Sequence, residues 1–138
     1  MVRPQEPKSP FPYRMENVVF KNADATLDGT LTLPENCDRD TPVLLMVSGS
    51  GPHNRDGEMF NHRPFAVIAD FLARKGVATL RYDDRGVGKS LGKTKNISIE
   101  DITSVELLNN SAPNGIKRDV FHCVAKSVIK QNFLFFVM

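Results

Sequence analysis

Apolar and polar positions alternate from Leu27 to Leu33, where Leu27, Leu31 and Leu33 are separated by Asp28, Thr30 and Thr32. A period of two is that of a half-buried strand. Just upstream, Val18-Val19-Phe20 is a shorter β-prone run, and the two stretches predict an antiparallel edge pair. Residues 34–41 are polar and turn-rich, and Pro42 then leads into Val43-Leu44-Leu45-Met46-Val47. That uninterrupted apolar run fits a strand covered on both faces. Pro64 suits a first helical turn, and Phe65, Ile68, Phe71 and Leu72 share one face of a helix that Gly76 ends. Residues Val77 to Tyr82 predict a second central strand. Strand, loop, helix and strand in this order describe a parallel β-α-β unit whose strand ends face a site.

The flanks follow other patterns. Pro4, Pro7, Pro10 and Pro12 favour an extended, polyproline-like lead-in over residues 1–12. Ser98 with Asp101 can cap a helix carrying Ile102, Val105 and Leu108. After Pro113-Asn114-Gly115, Val120, Val124 and Val128 share a helical face, and the sequence closes on Phe133-Leu134-Phe135-Phe136-Val137. This apolar end predicts a strand or an unsatisfied hydrophobic terminus with an aggregation risk. The chain therefore reads as a lead-in (1–12), an α/β unit (13–92) and a divergent, helical tail with an apolar end (93–138).

Composition narrows the function classes. With 138 residues the chain is long enough for one domain with a core, and 41% hydrophobic with 25% charged residues is globular usage. A net charge of +2 gives no pull towards nucleic acid or an anionic membrane. No signal-peptide core follows Met1-Val2-Arg3, and no run nears the ~20 apolar residues that span a bilayer, so the chain as written reads as cytoplasmic and without a membrane partner. Cys37 and Cys123 have no metal-ligand spacing and read as free thiols.

The first chemical candidate is Gly49-Ser50-Gly51, at the carboxyl end of the first central strand. A loop without bulk lets backbone N–H groups, those of Ser50 and Gly51, approach a developing oxyanion. The alternative is a tight turn with no ligand. It is not a dinucleotide fingerprint, since Asn54 stands where a third glycine belongs. Gly88-Lys89-Ser90 resembles a phosphate loop only superficially: Asp84 occupies the position of the first glycine, with Asp83 beside it, and two carboxylates repel phosphate. The same turn spells G-x-S-x-G from Gly88 to Gly92, but a nucleophile must sit directly between strand and helix, and here loop continues on both sides. Ser90 therefore reads as a hydroxyl satisfying a turn. Ser127 is flanked by Ala125 and Ile129 where small glycines belong, and His122 precedes it, so neither makes a catalytic pair. His53, Asp56 and His62 fit no metal-binding pattern, and no metal or cofactor is expected.

Several of these segments coincide with those of a known family. Phe11-Pro12-Tyr13, Gly29-Thr30-Leu31-Thr32-Leu33-Pro34, Val47-Ser48-Gly49-Ser50-Gly51-Pro52, Arg55-Asp56, His62-Arg63-Pro64-Phe65 and Arg81-Tyr82-Asp83-Asp84-Arg85-Gly86-Val87-Gly88-Lys89-Ser90 resemble the amino-terminal part of bacterial α/β-hydrolases of the serine aminopeptidase and dienelactone hydrolase groups. The resemblance runs from about residue 10 to residue 92. It implies a partial α/β-hydrolase sheet in a three-layer α/β fold, with an antiparallel edge hairpin followed by parallel strands and crossover helices. It also implies that Ser50 lends its N–H to an oxyanion hole, and that Gly49, Asp84, Arg85, Gly86 and Gly88 support the loop and turn. Relatives would continue into a nucleophile elbow, an acid and a histidine, which residues 93–138 do not display. The implied activity is hydrolysis of a carboxylic ester or amide bond in a small molecule or peptide, absent from this chain alone. Two further readings stay open: an interaction module that self-associates through an unpaired sheet edge, and a nucleotide binder at Gly86 to Ser90.

Overall fold

The computed structural model describes residues 3–22, 24–38, 40–49, 51–92, 106–107 and 134–137. Strand β1 (Tyr13–Asn22) pairs antiparallel with β2 (Ala25–Pro34) along the whole length of both, from Tyr13 opposite Pro34 to Asn22 opposite Ala25. This is the expected edge hairpin, extended to ten residues per strand. Strand β3 (Val43–Val47) is buried at every position, as its unbroken apolar run requires. It leads through helix α1 (Pro64–Arg74) to β4 (Ala78–Tyr82), which lies parallel beside it. Two short strands, β5 (Glu106–Leu107) and β6 (Leu134–Val137), complete a six-stranded sheet in the order β5-β1-β2-β4-β3-β6.

β4 serves two neighbours at once, antiparallel to β2 and parallel to β3. The join with β2 needs a glycine: Gly29 lies opposite Tyr82, and a Cβ there would collide with the carbonyl oxygen of Arg81. On one face of the sheet Val18, Phe20, Leu27, Leu31, Leu33, Val43, Leu45 and Leu80 form the larger core. On the other, Leu44 and Met46 meet Phe65 and Ala69 of α1.

The structure corrects the expected helix face. Phe65, Ala69 and Ala73 are the buried residues of α1, with Ile68 and Leu72 at its margin, whereas Phe71 is 59% exposed. At 3.6 residues per turn Phe71 lies about 200° round from Ala69, so it turns away from the sheet. Its ring instead lies under the Lys75 ammonium, 5.9 Å from the centroid.

Glu106–Leu107 is a second correction. The spacing of Ile102, Val105 and Leu108 predicts a helix across it, yet the two residues are extended and pair with Phe20 and Lys21 of β1. Backbone pairing with an existing strand outweighs a weak helical pattern. The apolar end is a strand, as one of its two readings held: Leu134–Val137 pairs parallel with Leu44–Val47. The remaining expectations for the tail, including the cap at Ser98 and Asp101, the face of Val120, Val124 and Val128, and Cys123, lie outside the described residues. The lead-in is tied to the body: Glu6 pairs with Arg63 at 2.8 Å, and Arg3 donates to the Phe60 carbonyl at 3.3 Å.

Candidate functional site

Because β3 and β4 are parallel neighbours, their carboxyl ends emerge side by side. The chain leaves β3 at Ser48 and β4 at Asp83, and one carboxylate joins the two exits. The Ser48 hydroxyl reaches both Asp84 oxygens at 2.8 Å, and the His53 N–H donates to Asp84 Oδ2 at 2.8 Å. In return the Asp84 N–H donates to the His53 carbonyl at 3.0 Å. Asp84 thus fixes both ends of the loop between Ser48 and His53. Within it Gly51 has φ +94°, a left-handed conformation suited to glycine, and the His53 imidazole closes the turn with Nδ1 2.8 Å from the Gly51 carbonyl. Since a carbonyl only accepts, that contact places the proton on Nδ1. Gly49 is half-buried, while Ser50 lies outside the described residues.

The turn after β4 is built on two further left-handed glycines, Gly86 at φ +75° and Gly88 at φ +54°. Gly88 is also sterically required, since a Cβ there would lie 2.6 Å from Asp83 Oδ2. The turn closes through Val87 N–H to Asp84 O and Ser90 N–H to Val87 O, both 2.9 Å, and Arg85 pairs with Asp24 at 2.8 Å. Ser90 is 2% exposed; its hydroxyl donates to the Asp83 carbonyl at 2.7 Å and accepts the Asp28 N–H at 2.9 Å. A buried hydroxyl with both roles filled ties the turn to β2 and has no path to a substrate. Ser127 and His122 lie outside the described residues.

Arg55 is the hub behind the loop. Its guanidinium pairs with Asp83 at 2.7 Å and with Asp28, and donates to Thr30 at 2.8 Å and Asn17 at 3.1 Å; its backbone N–H reaches Asp83 at 2.8 Å. Burial pushes the Asp28 carboxyl up, but hydrogen bonds from Arg55 and Asn17 and the Arg55 charge outweigh it and hold the group below its ordinary value. The hydrogen bond to Asp83 leads in raising Arg55, against its burial. Next to it the buried Arg81 meets Asp56 at 2.6 Å; burial lowers its pKa despite that partner. Tyr82 is pushed up to about 12 by burial and by the nearby Asp84 charge, its ring edge-on to Phe20 at 5.7 Å.

These contacts sort the candidates. Gly49, Gly51, Asp84, Gly86 and Gly88 come together around the two strand exits. The three residues considered for a metal are engaged separately: His53 faces Asp84 at 3.7 Å, Asp56 holds Arg81, and His62 faces Glu6 at 3.9 Å. Among the described residues no cluster of three metal-binding side chains occurs, and no helix is long and apolar enough to cross a membrane. Asp83 and Asp84, expected to repel a phosphate, are occupied by Arg55 and by Ser48 with His53. The Arg55 hub escapes a reading of the sequence, because Asp28 and Thr30 fit the polar, solvent side of an alternating strand. The one signal is Arg81, a charge set inside a buried strand.

A scan against protein-family models gives no match, and a search of curated proteins finds no similar sequence. Among solved structures, an α/β serine hydrolase homologue from Coxiella burnetii is similar, with a TM-score of 0.50 and 18% sequence identity over 88% of this chain. The chain spans about half (50%) of that structure's length. Sheet order, the parallel crossover through α1 and this likeness agree: the chain has a partial α/β-hydrolase fold.

Proposed function

We propose that the Ser48 to His53 loop is the oxyanion-binding element of a serine hydrolase acting on carboxylic ester or amide bonds, with the backbone N–H groups of Ser50 and Gly51 as donors. The observation that carries this reading is the Asp84 clamp, which holds a loop free of bulk at the carboxyl end of a central parallel strand. A donor fixed before the reaction stabilises the charge that forms in the transition state by about 2.7–4 kcal/mol. The finer kinship, with the serine aminopeptidase and dienelactone hydrolase groups, rests on the residue segments quoted above and assigns a small ester or a peptide as substrate. The chain alone turns over neither: Ser90 is committed to the turn, and no nucleophile elbow, acid and histidine in that order are legible in its sequence.

Two measurements test the two halves of this reading. Titration of methylphosphonate followed by amide NMR is expected to shift the Ser50 and Gly51 N–H resonances; resonances that do not move overturn the oxyanion role. A fluorophosphonate probe is expected to leave the chain unlabelled, and covalent labelling of Ser90 or Ser127 overturns the inactivity. A second reading is a non-catalytic interaction module that uses the outer edge of β1, where among the described residues β5 pairs only with Phe20 and Lys21.

A further inference from the structure

Thr79 and Arg81, two residues apart on β4, point to the same face of the sheet. Strand pairing sets Thr79 beside Thr32 of β2 and Leu44 of β3, and Arg81 beside Thr30. Leu44 packs against Phe65 and Ala69, so this is the face that α1 covers. Thr32, Thr79 and Arg81 are 1%, 0% and 5% exposed, polar residues fully inside the molecule. Among the described residues, Thr32 Oγ1, Thr79 Oγ1 and Arg81 Nε are buried and have no hydrogen-bond partner. Such a group costs free energy, and folded proteins contain few of them. The two threonines face each other across the β2–β4 join, yet their hydroxyls do not bond each other. Turning them together would still leave Arg81 Nε–H, a donor only, without an acceptor. Helix α1 lies against β2 and β4, and two of its three buried residues are alanines, Ala69 and Ala73, whose short side chains leave depth between helix and sheet.

We propose that Thr32 Oγ1, Thr79 Oγ1 and Arg81 Nε form a binding site for one structural water between α1 and the sheet. A buried water typically makes about three hydrogen bonds to polar groups that would otherwise be unpaired, and this set supplies three. The chemistry closes: the water accepts from Arg81 Nε–H and from one threonine hydroxyl, and donates to the other hydroxyl. A neutral ligand fits better than an anion, because the Arg81 charge is already met by Asp56, 2.6 Å from Nη1. The water would hold the guanidinium from the Nε side while Asp56 holds it from the Nη1 side. Asp56 in turn accepts the Phe65 N–H through its carbonyl at 3.1 Å, at the start of α1. One ligand therefore ties β2, β4 and the loop that leads into α1. This site does not depend on the hydrolase reading.

A crystal structure of the wild-type chain, grown with bromide, tests the site directly. It is expected to show one density peak without anomalous signal, about 2.7–3.2 Å from Thr32 Oγ1, Thr79 Oγ1 and Arg81 Nε. A map that shows ordered waters elsewhere but no such peak overturns the proposal, and so does a bromide signal there, which marks an anion. Urea unfolding of Thr79→Val gives a second test, because valine keeps the branched shape and the strand preference. A hydroxyl without a partner is better replaced by a methyl group, so valine would then raise the folding equilibrium constant. A hydroxyl that holds a water is missed, and valine is expected to lower that constant by about fivefold. Thr32→Val is expected to act in the same direction, and the double variant to lose less than the two single losses together, since both threonines share one ligand. A gain or no change in Thr79→Val overturns the proposal, as do strictly additive losses.

Discussion

Arg55 reaches acceptors on three strands or their ends: Asn17 on β1, Asp28 and Thr30 on β2, and Asp83 just past β4. Its planar fork suits this, because several donors stay fixed in one plane. Arg55→Ala takes the guanidinium partner from the buried Asp28 and Asp83 carboxylates and is expected to destabilise the fold by about 3–5 kcal/mol in urea unfolding. Arg55→Lys is expected to recover only part of that loss, since one ammonium cannot serve both carboxylates with the same geometry. Gly88→Ala forces a side chain into a left-handed φ of +54° and against Asp83; about 1–3 kcal/mol is the expected loss by the same measurement. These two positions show how unevenly the site could be read. The glycine turn announces itself, because few residues other than glycine adopt such backbone angles. The hub does not, because Arg55 sits in a loop and its partners lie 25, 27, 28 and 38 residues away.

Helix α1 shows the same division at the scale of an element. Its start at Pro64 and its end before Gly76 follow from local chemistry, as does its amphipathic pattern. Which residues face the sheet does not, since two of the three buried ones are Ala69 and Ala73, and small residues carry little hydrophobic signal. Phe65→Ala, which empties a 3% exposed position packed against Leu44 and Met46, is expected to cost about 3–5 kcal/mol. Phe71→Ala removes a ring that is 59% exposed and is expected to shift stability by no more than about 0.5 kcal/mol. Paired urea titrations compare the two directly, and similar losses would contradict the assigned face. Strands β1 to β4 were legible from period and apolar runs, because each pattern is carried by its own residues. The two-residue β5 was not: its extended backbone is imposed by pairing with β1, a partner more than eighty positions earlier in the chain.

Across the whole molecule, titratable groups on opposite sides of neutrality set limits on the fold. Asp28 is buried and Asp70 partly so, which raises a carboxyl, but hydrogen bonds from Arg55 and Asn17 to the first and from Arg74 and Tyr13 to the second win, and both lie below their ordinary 3.8. The native state then binds these protons more weakly than the unfolded chain does. Their contribution is fully present above 3.8 and is lost as pH falls below it through the depressed native values. Tyr13 and Tyr82 act in the other direction. Burial leads in pushing both from 10.0 to about 12, with a hydrogen bond to Asp70 adding to the first and the Asp84 charge to the second. A raised native value means stability that is whole below pH 10.0 and is lost as pH climbs towards about 12. For Tyr82, which is partly buried against the core, a shift of this size corresponds to at most about 2–3 kcal/mol at the alkaline extreme. The urea midpoint is therefore expected to hold a plateau between these limits and to fall on both sides. Tyr82→Phe keeps the ring against Phe20 and removes the ionisation, so it flattens the alkaline slope and leaves the acid slope intact. Asp28→Asn lowers the plateau by weakening the Arg55 hub and flattens the acid slope alone. Because each variant changes a different slope, a Tyr82→Phe chain that still loses stability as steeply above pH 10 would show that the buried phenol is not the group that limits the fold there.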